Sequence, residues 1–330
     1  MLRCAVSIGV AFVLSSCGGG GGGGSPSGPV DAGPVQITAG NYGLVAQESV
    51  GAAMSVTDAG LLLTGVQVSR DQLALDFARA QVPKFQAWMT SAPRLVTGAS
   101  QTVAVPCDSG NMDVTVDDGN NNSMFDRGDS FSVAAHACMF AGATLTGGMA
   151  FTVNEFSGDL NTDVYNLKMS MTLTNMVASD ATGSVTTNAS MSAIMASTGI
   201  HATTFSITTS SYTTVSTRAG VTYTRSLTDF TATQTTTPTQ TGYTISKLAN
   251  GTLSSSGLSN RSVVFATLAP FVRSSSRNFP TSGQATATGG GGSKIRVTAQ
   301  NDGSTVLVEL DADGNGNYEA SHTKLWTELL

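Results

Sequence analysis

Over most of the chain, apolar residues alternate with Ser and Thr. Met169, Met171 and Leu173 are interleaved with Lys168, Ser170, Thr172 and Thr174. Phe205 and Ile207 sit among Thr204, Ser206 and Thr208, and Val221, Tyr223 and Leu227 among Thr222, Thr224, Ser226 and Thr228. Ile295 with Val297, and Val306 with Val308 and Leu310, keep the same period of two. Successive side chains of a strand point to opposite faces, so this pattern predicts half-buried strands with a hydroxyl-rich outer face. Strings such as Ser256-Gly257 and Asn301-Asp302-Gly303 supply turns between them. No helix-length apolar run separates the strands, so parallel crossovers are not expected. The prediction for residues 101–330 is a mainly β body: an antiparallel meander sheet forming a curled roll, an open barrel or a sandwich. Its apolar face needs a cover, either a second sheet or helices.

Between residues 37 and 100 the period changes, and a mixed helical segment is expected. Leu44, Val45, Val50, Ala53 and Met54 fall close to helical spacing over Asn41 to Met54, although Gly43 and Gly51 weaken the pattern. Ser69 with Gln72 resembles a capping box opening a helix through Leu73, Phe77, Ala80 and Val82, which Pro83 interrupts. Phe85 and Trp88 read as packing residues.

The first 36 residues fit neither pattern. Arg3 precedes a short apolar core, Val6 to Leu14, too short for a permanent membrane span. Leu14-Ser15-Ser16-Cys17 follows. This string resembles the lipobox of bacterial lipoproteins. The resemblance implies cleavage after residue 16, diacylglycerol on the Cys17 sulfur and a further chain on the new amine. Two or three acyl chains hold a protein durably where one does not. Gly18, where an Asp would resemble an inner-membrane retention signal, makes the outer membrane the expected address. Residues 17–36 carry the Gly18–Gly24 run and then Pro26, Pro29 and Pro34. They read as a flexible tether, with a random-coil reach on the order of 25 Å.

Composition narrows the partners. Charged residues make up 12% of the chain and the net charge is −6, with no Lys/Arg run, so no nucleic-acid partner is expected. Aromatic residues, at 6%, are too few for the two girdles of a transmembrane barrel. Of the four cysteines, Cys4 leaves with the signal and Cys17 carries lipid. Cys107 and Cys138 remain, and in an oxidising compartment they are expected to form a disulfide.

Two acidic loops carry the only chemistry the sequence singles out. In one, Asp311, Asp313 and Asn315 take the first, third and fifth places of a calcium-type loop, with Gly316 at the sixth. His322 stands at the twelfth place, so Glu319 would have to supply the closing carboxylate. In the other, Asp118, Asn120, Asn122 and Asp129 occupy places one, three, five and twelve, with Ser123 where glycine is usual. Alternate oxygen side chains in a tight turn suit Ca²⁺, a hard ion that takes six to eight oxygens. Strands are expected on both sides of each loop, so they resemble the DxDxDG-type loops of extracellular proteins rather than a sensor pair. The competing reading is a pair of polar hairpin turns that bind nothing.

The stretch from Cys107 to Cys138, and the tail from Ser293-Lys294-Ile295-Arg296-Val297-Thr298 to Trp326 and Leu329, resemble uncharacterised lipoproteins of Gram-negative bacteria. That resemblance brings no assigned activity. His136, His201 and His322 are far apart, and no HExxH, GxSxG or Walker string occurs. Ser321 and Lys324 match SxxK, but on a strand they point to opposite sides. The expected function is therefore a non-enzymatic envelope lipoprotein, anchored in the outer membrane, that binds lipid, glycan or an envelope protein, with structural Ca²⁺ as its candidate ion. A hydrolase with a dispersed site and a surface adhesin are the alternatives. Met169, Met171, Met176, Met191 and Met195 read first as core, and second as the lining of an adaptable groove.

Overall fold

The structure is a computed structural model that describes residues 32–58, 73–85 and 100–329. It is mainly β. Fourteen strands form one antiparallel sheet in which every strand pairs with its neighbours in sequence. In order they are β1 (Gln101–Pro106), β2 (Asn111–Asp117), β3 (Ser130–Phe140), β4 (Ala143–Asp159), β5 (Val164–Asp180), β6 (Gly183–Thr198) and β7 (Thr203–Arg218). They continue as β8 (Val221–Thr239), β9 (Gly242–Ser255), β10 (Arg261–Ser274), β11 (Ser282–Thr288), β12 (Lys294–Ala299), β13 (Thr305–Asp311) and β14 (Ala320–Leu325). The sheet does not close, and β1 and β14 are its two ends. The meander expected from the alternation is therefore present, as an open form covered by helices.

The middle strands, β4 to β8, run to 16–19 residues each. Strands of that length must bend, and bulges provide the bends. The ladder breaks register between Ala135 and Cys138, between Leu173 and Met176, and between Thr228 and Thr231. Inside these breaks Ala137, Asn175 and Asp229 take left-handed backbone angles, with φ of 50°, 46° and 49°. Gly147 lies against the Asn175 bulge with φ 116°, and a Cβ there would strike the Asn175 carbonyl oxygen. Each bulge turns residues three apart to the same face. Ala135 with Cys138, Leu173 with Met176, and Leu227 with Phe230 are all buried.

The bulges explain where period two fails. Val221 and Tyr223 share the parity of Leu227, yet they are exposed, because they sit at the β7–β8 hairpin tip beyond the covered part of the sheet. Past the Asp229 bulge the inward set becomes Phe230, Ala232 and Gln234. Met169, Met171, Met176 and Met191 are core residues, and Met195 packs against that core.

Helix α1 (Tyr42–Asp58) and helix α2 (Leu73–Gln81) cover the apolar face. Val45, Val50 and Met54 of α1 are buried, but Leu44 faces outward, and Glu48 and Ser49 take inward positions instead. Glu48 is held by Arg225, whose Nε and Nη2 donate to its two oxygens at 2.8 and 3.1 Å, and by the Ser255 hydroxyl at 2.8 Å. This two-pronged, charge-assisted contact fixes α1 over β8 and β9. In α2, Leu73 to Ala78 are buried without a break, as in a helix covered on all sides. The turn Val82–Lys84 continues it past Pro83, and Phe85 stacks on Phe131 at 4.1 Å. Trp88 and the Ser69–Gln72 capping box lie outside the described residues, as do Cys17 and the signal before it. Among the described residues, no helix is long and apolar enough to cross a membrane.

Residues 32–36, expected to belong to the tether, are held against the body. Ala32 donates its amide to the Asn260 carbonyl, Val35 donates to Ser262, and the Gly290 amide donates to Val35. Val35 and Ile37 are buried. Residues 32–37 are docked because β10 and the 289–293 turn offer them backbone partners. The Cys107–Cys138 disulfide is present, with Cα atoms 5.4 Å apart.

Candidate functional site

The loop between β13 and β14 gathers three carboxylates. Ligand oxygens of Asp311, Asp313 and Glu319 lie within 4.8 Å of one another. Asp311 closes β13 and is fully buried. Its oxygens accept amide hydrogens from Gly314 at 2.8 Å and Gly316 at 2.9 Å. Gly316 has φ 92°, the left-handed turn that the sixth place of such a loop requires. Glu319 reaches back to accept from the Ala312 amide at 3.0 Å. Asn315 belongs to the same turn but is engaged locally. Its Nδ2 donates to Asp313 at 2.8 Å, and its Oδ1 accepts from the Asn317 amide at 2.7 Å.

Lys294, which the sequence reading missed, ion-pairs with Asp311 at 3.2 Å. The two residues face each other across the β12–β13 ladder, a relation that exists only once the register is known. Burial pushes the Asp311 carboxyl up. The amides of Gly316 and Gly314 and the Lys294 ammonium outweigh it and hold the carboxyl below the usual range. The site can hold one hard cation through carboxylate oxygens, in competition with Lys294.

The loop between β2 and β3 is organised differently. Asp118 accepts from the amides of Asn120 and Asn122, both at 3.3 Å, and of Ser123 at 2.7 Å. Ser123 adopts φ 59°, taking with a side chain the conformation glycine would supply. Asp129 is fully buried and accepts from Gly119 and Asp126. Burial pushes its carboxyl up to about 6. The two backbone hydrogen bonds oppose this, and the charges of Asp126 and Asp118 add to it. Asp126 is the residue the sequence reading passed over. It accepts from Asn120 Nδ2 at 3.0 Å and Asn122 Nδ2 at 2.6 Å. It stands at the ninth place of the same loop, where counting alone would have found it.

A third feature had no signal in the sequence. A cavity of about 40 Å³ lies between α1, strands β9 to β11 and the carboxy-terminal Trp326. Its wall is mostly carbon, from Val50, Met54, Phe265, Phe271, Ala287 and the Trp326 ring. Ser49, Lys247, Thr267 and Thr286 also border it, but the surface they present to it is almost wholly apolar. Ser49 Oγ and Trp326 Nε1 are buried and have no hydrogen-bond partner among the described residues. Burial pushes the Lys247 ammonium well below the usual lysine range, and the Arg273 guanidinium acts in the same direction.

The cavity lies beside a split in the sheet. β9 and β10 pair at Leu253 with Val263 and again at Lys247 with Phe271, with no ladder between. Thr267 spans part of the split. Its hydroxyl accepts from the Ala249 amide and donates to the Ala249 carbonyl, both at 2.9 Å.

The histidines are dispersed. His136 pairs with Asp113 at 3.0 Å on the surface, His201 stacks on Tyr243, and His322 is exposed on β14. Ser321 and Lys324 lie on β14, three residues apart on one strand. Comparison of the chain with protein-family models, curated proteins and solved structures finds no match.

Proposed function

We propose that the protein is a lipid-anchored envelope lipoprotein of the outer membrane that binds a small apolar-chain ligand and is not an enzyme. The observation that carries the binding reading is the carbon-walled cavity beneath α1. Sites for small ligands are concave and walled mostly by apolar side chains, as this one is. The anchor reading rests on Leu14-Ser15-Ser16-Cys17 and the glycine-rich stretch after it. Gln36 donates to the Ala312 carbonyl beside the β13–β14 loop. The loop at 311–319 takes Ca²⁺ as a structural ion, through Asp311, Asp313 and Glu319.

Labelling of growing cells with a radioactive fatty acid tests the anchor. The wild-type protein should take up label and partition into detergent, and Cys17→Ser should do neither. A Cys17→Ser protein that still labels and partitions would contradict the lipoprotein reading.

A further inference from the structure

On the premise that the cavity is a binding site, its size limits what can enter it as it stands. Its 40 Å³ is well below the roughly 150 Å³ of a dry pocket that takes benzene. A ligand therefore needs the cavity to widen. Its strand walls are held in ladders, β9 to β8, and β10 and β11 to each other. The opposite wall is α1, which supplies Ser49, Val50, Ala53 and Met54. Among the described residues, no backbone hydrogen bond joins α1 to a strand.

The segment before α1 is pinned to the sheet. Ala32 and Val35 donate to Asn260 and Ser262, and the Ile37 amide donates to the Ser293 hydroxyl at 2.9 Å. From residue 38 the contacts turn local. Asn41 Oδ1 accepts from the Thr38 amide at 2.8 Å, its Nδ2 donates to the Gln36 carbonyl at 2.9 Å, and the helix starts at Tyr42. Glu48 then clamps to Arg225 and Ser255. The residues that cover the cavity come after Glu48, so they lie farther from the pinned end than the clamp does. The other large buried side chains of α1 are apolar: Val45, Val50 and Met54. Ser49 Oγ is buried with no hydrogen-bond partner among the described residues, and lifting the helix gives it water. We propose that α1 is a lid over the cavity, hinged at residues 38–41 and latched by Glu48 on Arg225 and Ser255. The closed form dominates because opening exposes Val50 and Met54 and breaks a charge-assisted contact. A ligand that fills the widened space offsets both.

Amide hydrogen exchange on the purified protein tests this without any ligand. Residues 49–54 should exchange faster than β8 and β9, through an opening that leaves the sheet intact. Glu48→Gln should speed their exchange about tenfold, the effect of weakening a charge-assisted contact, and leave β8 and β9 unchanged. Ser255→Ala keeps the Arg225 pair, so it should do the same to a smaller degree, and it serves where Glu48→Gln does not fold. Residues 49–54 exchanging only together with the sheet, or unmoved by both variants, would overturn the lid. The neutral fluorophore N-phenylnaphthylamine separates this result from the binding reading. It should enter the wild-type protein at a rate capped by opening, and Glu48→Gln should raise that rate. A rate that Glu48→Gln leaves unchanged would also overturn the lid. Local opening of residues 49–54 with no dye bound by either protein would sink the binding reading and leave the lid standing.

Discussion

Asp302, in the turn between β12 and β13, accepts from the amides of Ser304 and Thr305 at 2.8 Å and from the Thr305 hydroxyl. These bonds, the Thr305 hydroxyl first, lower its carboxyl to about 2. A carboxylate lowered on folding contributes stability above its unfolded value near 3.8, and that contribution fades as pH falls toward 2. Asp302→Ala should therefore melt below wild type at pH 7, with the gap shrinking between pH 4 and pH 2. Melting curves across that range check it, and a gap independent of pH would contradict it. The turn residue was legible in the Asn-Asp-Gly string, but its hydroxyl partner was not. At the β13–β14 loop, Ca²⁺ in hundredfold excess over its dissociation constant should stabilise the fold by roughly 2.7 kcal/mol. Mg²⁺ should do less, because it tolerates irregular cages poorly. Asp313→Ala should remove the shift. A melting temperature indifferent to calcium and to chelator would leave this loop a turn with a Lys294–Asp311 ion pair. The spacing of Asp311, Asp313 and Glu319 along the chain was enough to suggest this cluster. Lys294 was hidden because its proximity is a fact of cross-strand register.

At the scale of elements, period two located the strands and missed the places where they bend. A bulge adds one residue and reverses inward and outward for everything after it. Ala135 and Cys138 illustrate the consequence. They are three apart, both face inward across the Ala137 bulge, and Cys138 is thereby presented to Cys107 just past the end of β1. The bond ties the edge hairpin of the sheet to β3. Its loop separation of 31 residues is worth about 3–4 kcal/mol in the chain-entropy treatment. The double variant Cys107→Ser, Cys138→Ser should lose about that much in urea unfolding. Its amide exchange should rise first in β1 and β2, because β1 has only one paired neighbour. Uniform loss of protection across the sheet would show that the disulfide is not acting as a local clamp. Helix α1 was also legible from its apolar spacing, but its inward polar residues were not. Glu48 is inward because Arg225 and Ser255, both far away in sequence, receive it.

At the scale of the molecule, the sheet stays open, so its apolar face needs α1 and α2 as cover. The alternation required a cover, but it left open whether that cover was a second sheet or helices. The cavity lies where this cover is imperfect, between α1, the split of β9 from β10, and Trp326. No local pattern encodes it, since its walls come from residues 49 to 326. The central claim is that this gap is a ligand site in an anchored envelope protein. Native mass spectrometry of the protein extracted from its own membrane tests that claim most directly, alongside the Ala53→Trp variant, whose new ring enters the cavity from α1. The wild-type protein should carry one additional small amphiphile per chain, released on denaturation and absent from a folded Ala53→Trp protein. A wild-type mass fully accounted for by the polypeptide and its Cys17 lipid, or a bound molecule retained unchanged in Ala53→Trp, would contradict the claim.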